Sequence, residues 1–215
     1  IIATKKKSFD SILEFLGNKK NIFLLGCGEC ATTCKTGGEP EILAMKQKLE
    51  AAGKAVSGWA VPKAACVTSQ IKMIMAKNRE ALNKTDAVLV FACGSGTQTF
   101  QETDRQKLSV YSGNDTLFIA SVNAKGDFLE MCSACGDCVL DANEGICPVT
   151  RCPKGLMNGP CGGQKEGKCE VDRTKDCAWV LIYKRKAEKK KIADLKTINK
   201  ARDYKKSLKP HTITW

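Results

Sequence analysis

NIFLLGCGECATTC, residues 21–34, decides the fold. Ile22 to Leu25 is a continuous apolar run, the pattern of a short strand covered on both faces, as in a parallel sheet. A cysteine–glycine loop follows it at once, and then a helical pattern over Glu39 to Ala52 with Ile42, Leu43, Met45 and Leu49 inward. Working outward, Ala55 to Val61 reads as a second strand, Ser69 to Asn83 as a crossover helix and Ala87 to Ala92 as a third strand. Residues 98–109 read as helical and Leu117 to Val122 as a fourth strand. Upstream, Ser8 caps a helix over 8–18 with Ile12, Phe15 and Leu16 on one face. Strand and helix alternating at this rhythm define an α/β domain of flavodoxin- or Rossmann-like type, with a parallel sheet and right-handed crossovers. In such sheets ligands bind beyond the carboxyl ends of the strands.

All the cysteines of this region fall at that edge. Cys27, Cys30 and Cys34 follow the first strand, Cys66 the second and Cys93 the third. With the first strand flanked by the other two, five thiols converge, enough for one four-ligand centre and one thiol over. Gly26, Gly28 and Gly94, with Gly37, Gly38 and Gly96, are expected to let the backbone approach a bound cluster and aim N–H groups at its sulfurs. Gly26-x-Gly28-x-x-Ala31 also matches a dinucleotide fingerprint. The acidic residue such a site needs is missing, because Trp59-Ala60-Val61-Pro62 ends the second strand, and thiols fill the positions a pyrophosphate would require.

The composition changes near Gly126. Cys132, Cys135, Cys138, Cys147, Cys152, Cys161, Cys169 and Cys177 crowd into a stretch rich in glycine and proline. C-x2-C-x2-C with a later Cys-Pro (Cys147-Pro148, Cys152-Pro153) is a pattern that wraps an iron–sulfur cube; the proline is expected to stop helix formation and hold the turn open. Zinc is the rival, since four-cysteine zinc sites also use C-x2-C knuckles, though usually as two facing pairs. The eight thiols form a pool for two sites, with one iron–sulfur cluster plus one structural zinc also open. Residues 157–163, MNGPCGG, read as a ligand-bearing turn around Cys161. Ala178 to Ile192 resumes a helical pattern. The expected organisation is therefore an α/β domain over 1–126, a small irregular cysteine-rich metal-binding domain over 127–180, and a basic helix with a partner-docking tail over 181–215.

Thirteen cysteines leave one unpaired in any complete disulfide scheme, and the opening IIATKKKSFD lacks the apolar stretch of a secretory signal. A reduced, cytoplasmic metal protein is the expectation, with no membrane span. The formal charge of +12 would suggest a polyanion partner. Three four-thiolate clusters would cut that sum to about +6. The remaining excess lies in Lys184 to Lys209, which has few aromatics and makes a poor base-stacking platform, so no nucleic acid is expected. The one histidine, His211, is near the terminus, and no Walker loop, HExxH or GxSxG occurs. Such a chain is equipped to carry electrons or hold shape, with no catalytic residue of its own.

Gly26-Cys27-Gly28-Glu29-Cys30-Ala31-Thr32-Thr33-Cys34, Ala92-Cys93-Gly94 and CPVTRCPKGLMNGPCGG (147–163), followed by CEV and CAW, resemble the MetV family. These are the small cysteine-rich subunits of methylenetetrahydrofolate reductase in acetogenic and related bacteria. The likeness spans about residues 8–209. It implies a non-catalytic subunit of a heteromeric oxidoreductase, paired with a TIM-barrel subunit that binds flavin and folate in the methyl branch of the Wood–Ljungdahl pathway. It implies two or three [4Fe-4S] clusters relaying electrons, from ferredoxin or another donor, toward the partner's flavin. The family is also described as zinc-binding, so a zinc-stapled assembly subunit is the other expectation.

Overall fold

A computed structural model describes residues 1–214. The chain divides into two compact units, Ile1–Phe118 and Ile119–Trp215. Trp215, the end of the tail expected to dock a partner, lies outside the described residues.

The first unit runs β1 (Ile2–Lys6), α1 (Phe9–Leu16), β2 (Asn21–Leu25), α2 (Cys30–Thr33), α3 (Glu39–Ala51), β3 (Ala55–Ala60), α4 (Thr68–Lys77), α5 (Arg79–Leu82), β4 (Ala87–Val90), α6 (Gly94–Thr103) and β5 (Ser109–Ser112). β6 (Asn114–Val122) carries the chain into the second unit, where β7 (Phe128–Cys132), α7 (Pro148–Arg151) and α8 (Ala178–Glu188) follow.

Four strands make a sheet of order β3-β2-β4-β5, every pair parallel. The fold is α/β and Rossmann-like, with β2 flanked by β3 and β4. Its two faces follow from the period of two along a strand. Ile22 and Leu24 of β2 join Leu89 and Phe91 under Ile12 and Leu16 of α1 and Ile42, Met45 and Leu49 of α3. Phe23 and Leu25 join Val88 and Val90 on the other face, under Ile71 of α4, Leu82 of α5 and Phe100 of α6. The caps agree with the pattern: Ser8 Oγ accepts the Ser11 N–H at 3.2 Å, and the Glu41 carboxylate accepts the Gly38 N–H at 3.0 Å. Backbones meet closely where β2 leaves the sheet, and a β-carbon at Gly37 would overlap the Phe91 carbonyl.

Four elements differ from expectation. The fourth parallel strand is β5, a half-buried edge strand whose polar SVYS lacks an apolar run. Leu117–Val122, expected in that role, belongs to β6, which pairs antiparallel with β7 in a second sheet of order β1-β6-β7. Asn123 turns that hairpin, its Oδ1 accepting the N–H groups of Lys125 and Asp127 at 2.9 Å each. The long helix over 69–83 breaks into α4 and α5 at Asn78, whose Nδ2 donates to the Ile74 carbonyl at 2.9 Å. β1 was hidden in a basic N-terminal stretch that carries no strand alternation.

The second unit holds little apolar core. Among the described residues Ile146, Trp179 and Ile182 are its one buried cluster, against two clusters of ten or more residues in the first unit. Its turns rely on left-handed backbone at Ala134, Gly136, Glu144, Gly145, Gly155, Gly159, Gly162, Glu166 and Gly167.

Candidate metal centres

Because β2, β3 and β4 run parallel, their carboxyl-end loops leave from one edge of the sheet. Cys27 follows β2 and is 7% exposed, Cys30 opens α2, Cys66 lies in the loop after β3, and Cys93 is the N-cap of α6. The Cys66 thiol is pushed above its ordinary pKa by burial first, then by the neighbouring charge of Cys93, Cys27 and Cys30. Four of the five expected thiols thus share one neighbourhood. The fifth turns elsewhere: Cys34 Sγ donates to the Ile2 carbonyl of β1 at 3.6 Å.

The glycine N–H groups here are already engaged. Gly26 donates to Ala60 O at 2.8 Å, Gly28 to Pro62 O at 2.8 Å, and Gly94 to Thr116 Oγ1 at 2.8 Å. A β-carbon at Gly26 would strike the Gly37 carbonyl, so that glycine serves backbone packing.

In the second unit the eight thiols fall into two groups. Cys132, Cys135 and Cys138 lie on the knuckle that leaves β7, where the Ala134 N–H donates to Cys132 Sγ at 3.4 Å. Cys147, the N-cap of α7, joins them through Thr150: Cys147 Sγ lies 3.8 Å from Thr150 Oγ1, which donates to Ser133 Oγ at 3.3 Å, and α7 packs on β7. The proline after Cys147 starts a helix where the sequence reading had it stopping one, because Pro at the first helical position sacrifices no hydrogen bond.

Cys152, Cys161, Cys169 and Cys177 line one hollow of about 20 Å³ together with Pro153, Lys154, Gln164, Glu170 and Trp179. Cys177 is the N-cap of α8. Trp179 closes the hollow, its Nε1 donating to the Leu156 carbonyl at 3.0 Å. Glu170 is ion-paired to Lys154, which holds its carboxyl below the ordinary value. A wider cavity of about 930 Å³ shares Trp179 and Gln164 with this hollow. Its buried charge is matched internally, Lys186 by Asp194 at 3.4 Å and Glu144 by Lys191 at 3.1 Å, so it favours neither anion nor cation.

All thirteen cysteines are free of disulfides, and among the described residues no three or more His, Cys, Asp or Glu side chains stand in metal-ligand geometry. The thiols are grouped in fours without being drawn onto a common point. The donor set nevertheless fits a soft metal or an iron–sulfur cluster, since it is all sulfur. Cys93, Cys147 and Cys177 are helix N-caps and Cys30 opens a helix. Buried Nε and Nη2 atoms of Arg202, without hydrogen-bond partners among the described residues, add an unsatisfied cation to the same lobe. His211 is exposed.

Sequence reasoning missed the helix-cap placement, although Cys-Pro before VTR and Cys177 before AWVLIYK were readable helix starts. It also missed Arg202, for which the sequence holds no signal.

The class so defined is a parallel α/β unit with a thiol quartet at its strand ends, followed by a lobe built around two more. Residues 111–205 match a family model described as methylene-tetrahydrofolate reductase C terminal. That segment, which contains every cysteine of the second unit, is what the chain has in common with the family. No curated protein and no solved structure matches it. No described helix is long and apolar enough to cross a membrane.

Proposed function

We propose that this chain is the electron-transfer small subunit of a heteromeric methylenetetrahydrofolate reductase, passing electrons toward the flavin of a catalytic partner subunit. The observation that carries the reading is the partition of twelve thiols into three sets of four, in a chain whose cysteine-rich segment matches a family of that reductase. Cys27, Cys30, Cys66 and Cys93 would hold one [4Fe-4S] cluster, and Cys132, Cys135, Cys138 and Cys147 a second. Such clusters, when bound, supply one-electron steps between a donor such as ferredoxin and a flavin. The chain's own part would be to deliver the sulfur ligands and to offer the Ala134 N–H to Cys132 sulfur.

The third set supports a second reading of its own. A hollow of about 20 Å³ suits a single ion better than a cube, and four thiolates at about 2.3 Å are a structural zinc site. Zinc there would fasten the lobe and carry no electrons. Were all three sets to hold zinc, the chain would be an assembly subunit for the flavoprotein.

The test is anaerobic mixing of the dithionite-reduced chain, freed of excess reductant, with its oxidised flavoprotein partner. The expected result is bleaching of the flavin absorbance, abolished or strongly slowed by Cys66→Ser. Flavin that stays oxidised while the partner remains bound would replace the relay with the scaffold reading.

A further inference from the structure

Cys93, Cys147 and Cys177 are all helix N-caps, but they differ in what stands one turn on. The third helical residue after them is Gly96, Thr150 and Val180 in turn. The side chains at the N-cap and at that third position face each other across the first turn, the relation a capping box uses. Of the three, Cys147 alone meets a hydroxyl there. Cys152, the other cysteine followed by proline, has Gly155 three residues on.

The contact is made. Cys147 Sγ lies 3.8 Å from Thr150 Oγ1, and Thr150 gives its own hydrogen to Ser133 Oγ at 3.3 Å. Ser133 sits in the knuckle, between Cys132 and Cys135. The backbone at Cys147 is held without Thr150's side chain: Ile146 and Pro148 are buried on either side, and the Cys147 carbonyl accepts the Arg151 N–H at 3.0 Å. The hydroxyl of Thr150 is therefore left to serve the sulfur and the knuckle.

In the structure the free thiol donates to Thr150. A sulfur bound to metal has no hydrogen to give and can only accept. The contact then persists if Thr150 turns its hydrogen onto the sulfur and Ser133 donates to Thr150 in turn. A hydroxyl has one hydrogen and two lone pairs and rotates to suit, so the chain of three atoms works in either direction.

We propose that Thr150 is a positioning residue for the centre held by Cys132, Cys135, Cys138 and Cys147. With metal bound, its hydroxyl donates to the Cys147 sulfur, backed by Ser133, and raises the reduction potential of that centre. A hydrogen bond to a ligand sulfur favours the reduced state, which carries one more electron, over the oxidised one. The same chain ties the ligand at the start of α7 to the knuckle that supplies the other three. The inference rests on the iron–sulfur reading above.

The experiment is an EPR-monitored redox titration of the full chain, purified anaerobically, that follows the signal Cys132→Ser abolishes. Thr150→Val, close in shape but without the hydroxyl, should keep its iron while the reduced-to-oxidised ratio at the parent midpoint falls about tenfold, a shift of about 59 mV. Thr150→Ser, which restores the hydroxyl, should return the parent potential. Ser133→Ala should give a smaller fall in the same direction. Full iron with the parent potential in Thr150→Val overturns the proposal, as does a Thr150→Ser protein with the lowered potential of Thr150→Val. If Thr150→Val loses iron, Ser133→Ala decides alone: a lowered potential supports the role, and an unchanged one rejects it. A parent protein in which Cys132→Ser abolishes no signal instead defeats the iron–sulfur reading itself.

Discussion

The two units solve the problem of stability by different means. The first buries Ile22, Phe23, Leu24, Leu25 and all of β4 between two helical layers, and its thiols ride on the rim of a finished fold. The second has Ile146, Trp179 and Ile182 and otherwise turns, salt links and sulfur. A lobe of that size with so small a core needs staples, and on the reading proposed above metal bound by its eight thiols would supply them. The same residue type thus sits at the edge of a complete core in one unit and in place of a core in the other.

The largest effect should come from metal removal. Chelation under reducing conditions should expose the second unit to protease, with cuts falling within 119–215, while residues 1–118 persist as a resistant fragment. Equal loss of both units would erase the contrast. Next in size, Leu89→Ala should destabilise the first unit by about 2–5 kcal/mol in denaturant unfolding, because a fully buried β4 side chain leaves a cavity. Metal bound by the second unit should not change. Single cysteine changes sharpen the comparison at the site level. Cys66→Ser should cost the iron of one cluster, about four atoms, whereas Cys34→Ser, altering the thiol turned toward Ile2, should cost none.

The smallest effect concerns Glu144, whose carboxyl Lys189 and then Lys191 hold down to about 2 from an ordinary 4.5. A depressed carboxyl stabilises the fold above its unfolded pKa, and that contribution is lost as pH falls from about 4.5 toward 2. Glu144→Gln should lower the melting temperature of the second unit slightly at pH 7, and the difference from wild type should shrink on acidification. A difference that grew in acid would refute the assignment.

Much of the first unit was legible because its physics is local. NIFLL and AVLVFA announce buried strands, and glycine with cysteine after each marks the edge where the strands' carboxyl ends lie. β5 was not legible, since SVYS is an edge strand with no apolar run, and β1 was masked by lysines. In the second unit the pool of eight thiols could be read, but not its division. Cys147 joins the knuckle through Thr150 and Ser133, a contact between segments that no spacing rule encodes. The tail was expected to dock elsewhere. Lys206 on Asp137 and Asn199 on Asn158 tie its described residues to their own lobe, contacts that the sequence did not announce. Deletion of 201–215 should therefore disturb the knuckle centre, visible as a changed EPR signal.

The most direct test of the central claim is a metal count on anaerobically purified Cys34→Ser protein. Three thiol quartets predict about eight irons in two cubes and one zinc at the small hollow, with no loss relative to wild type. Less than about one iron per chain after reconstitution, against the four that a single cube requires, would contradict it.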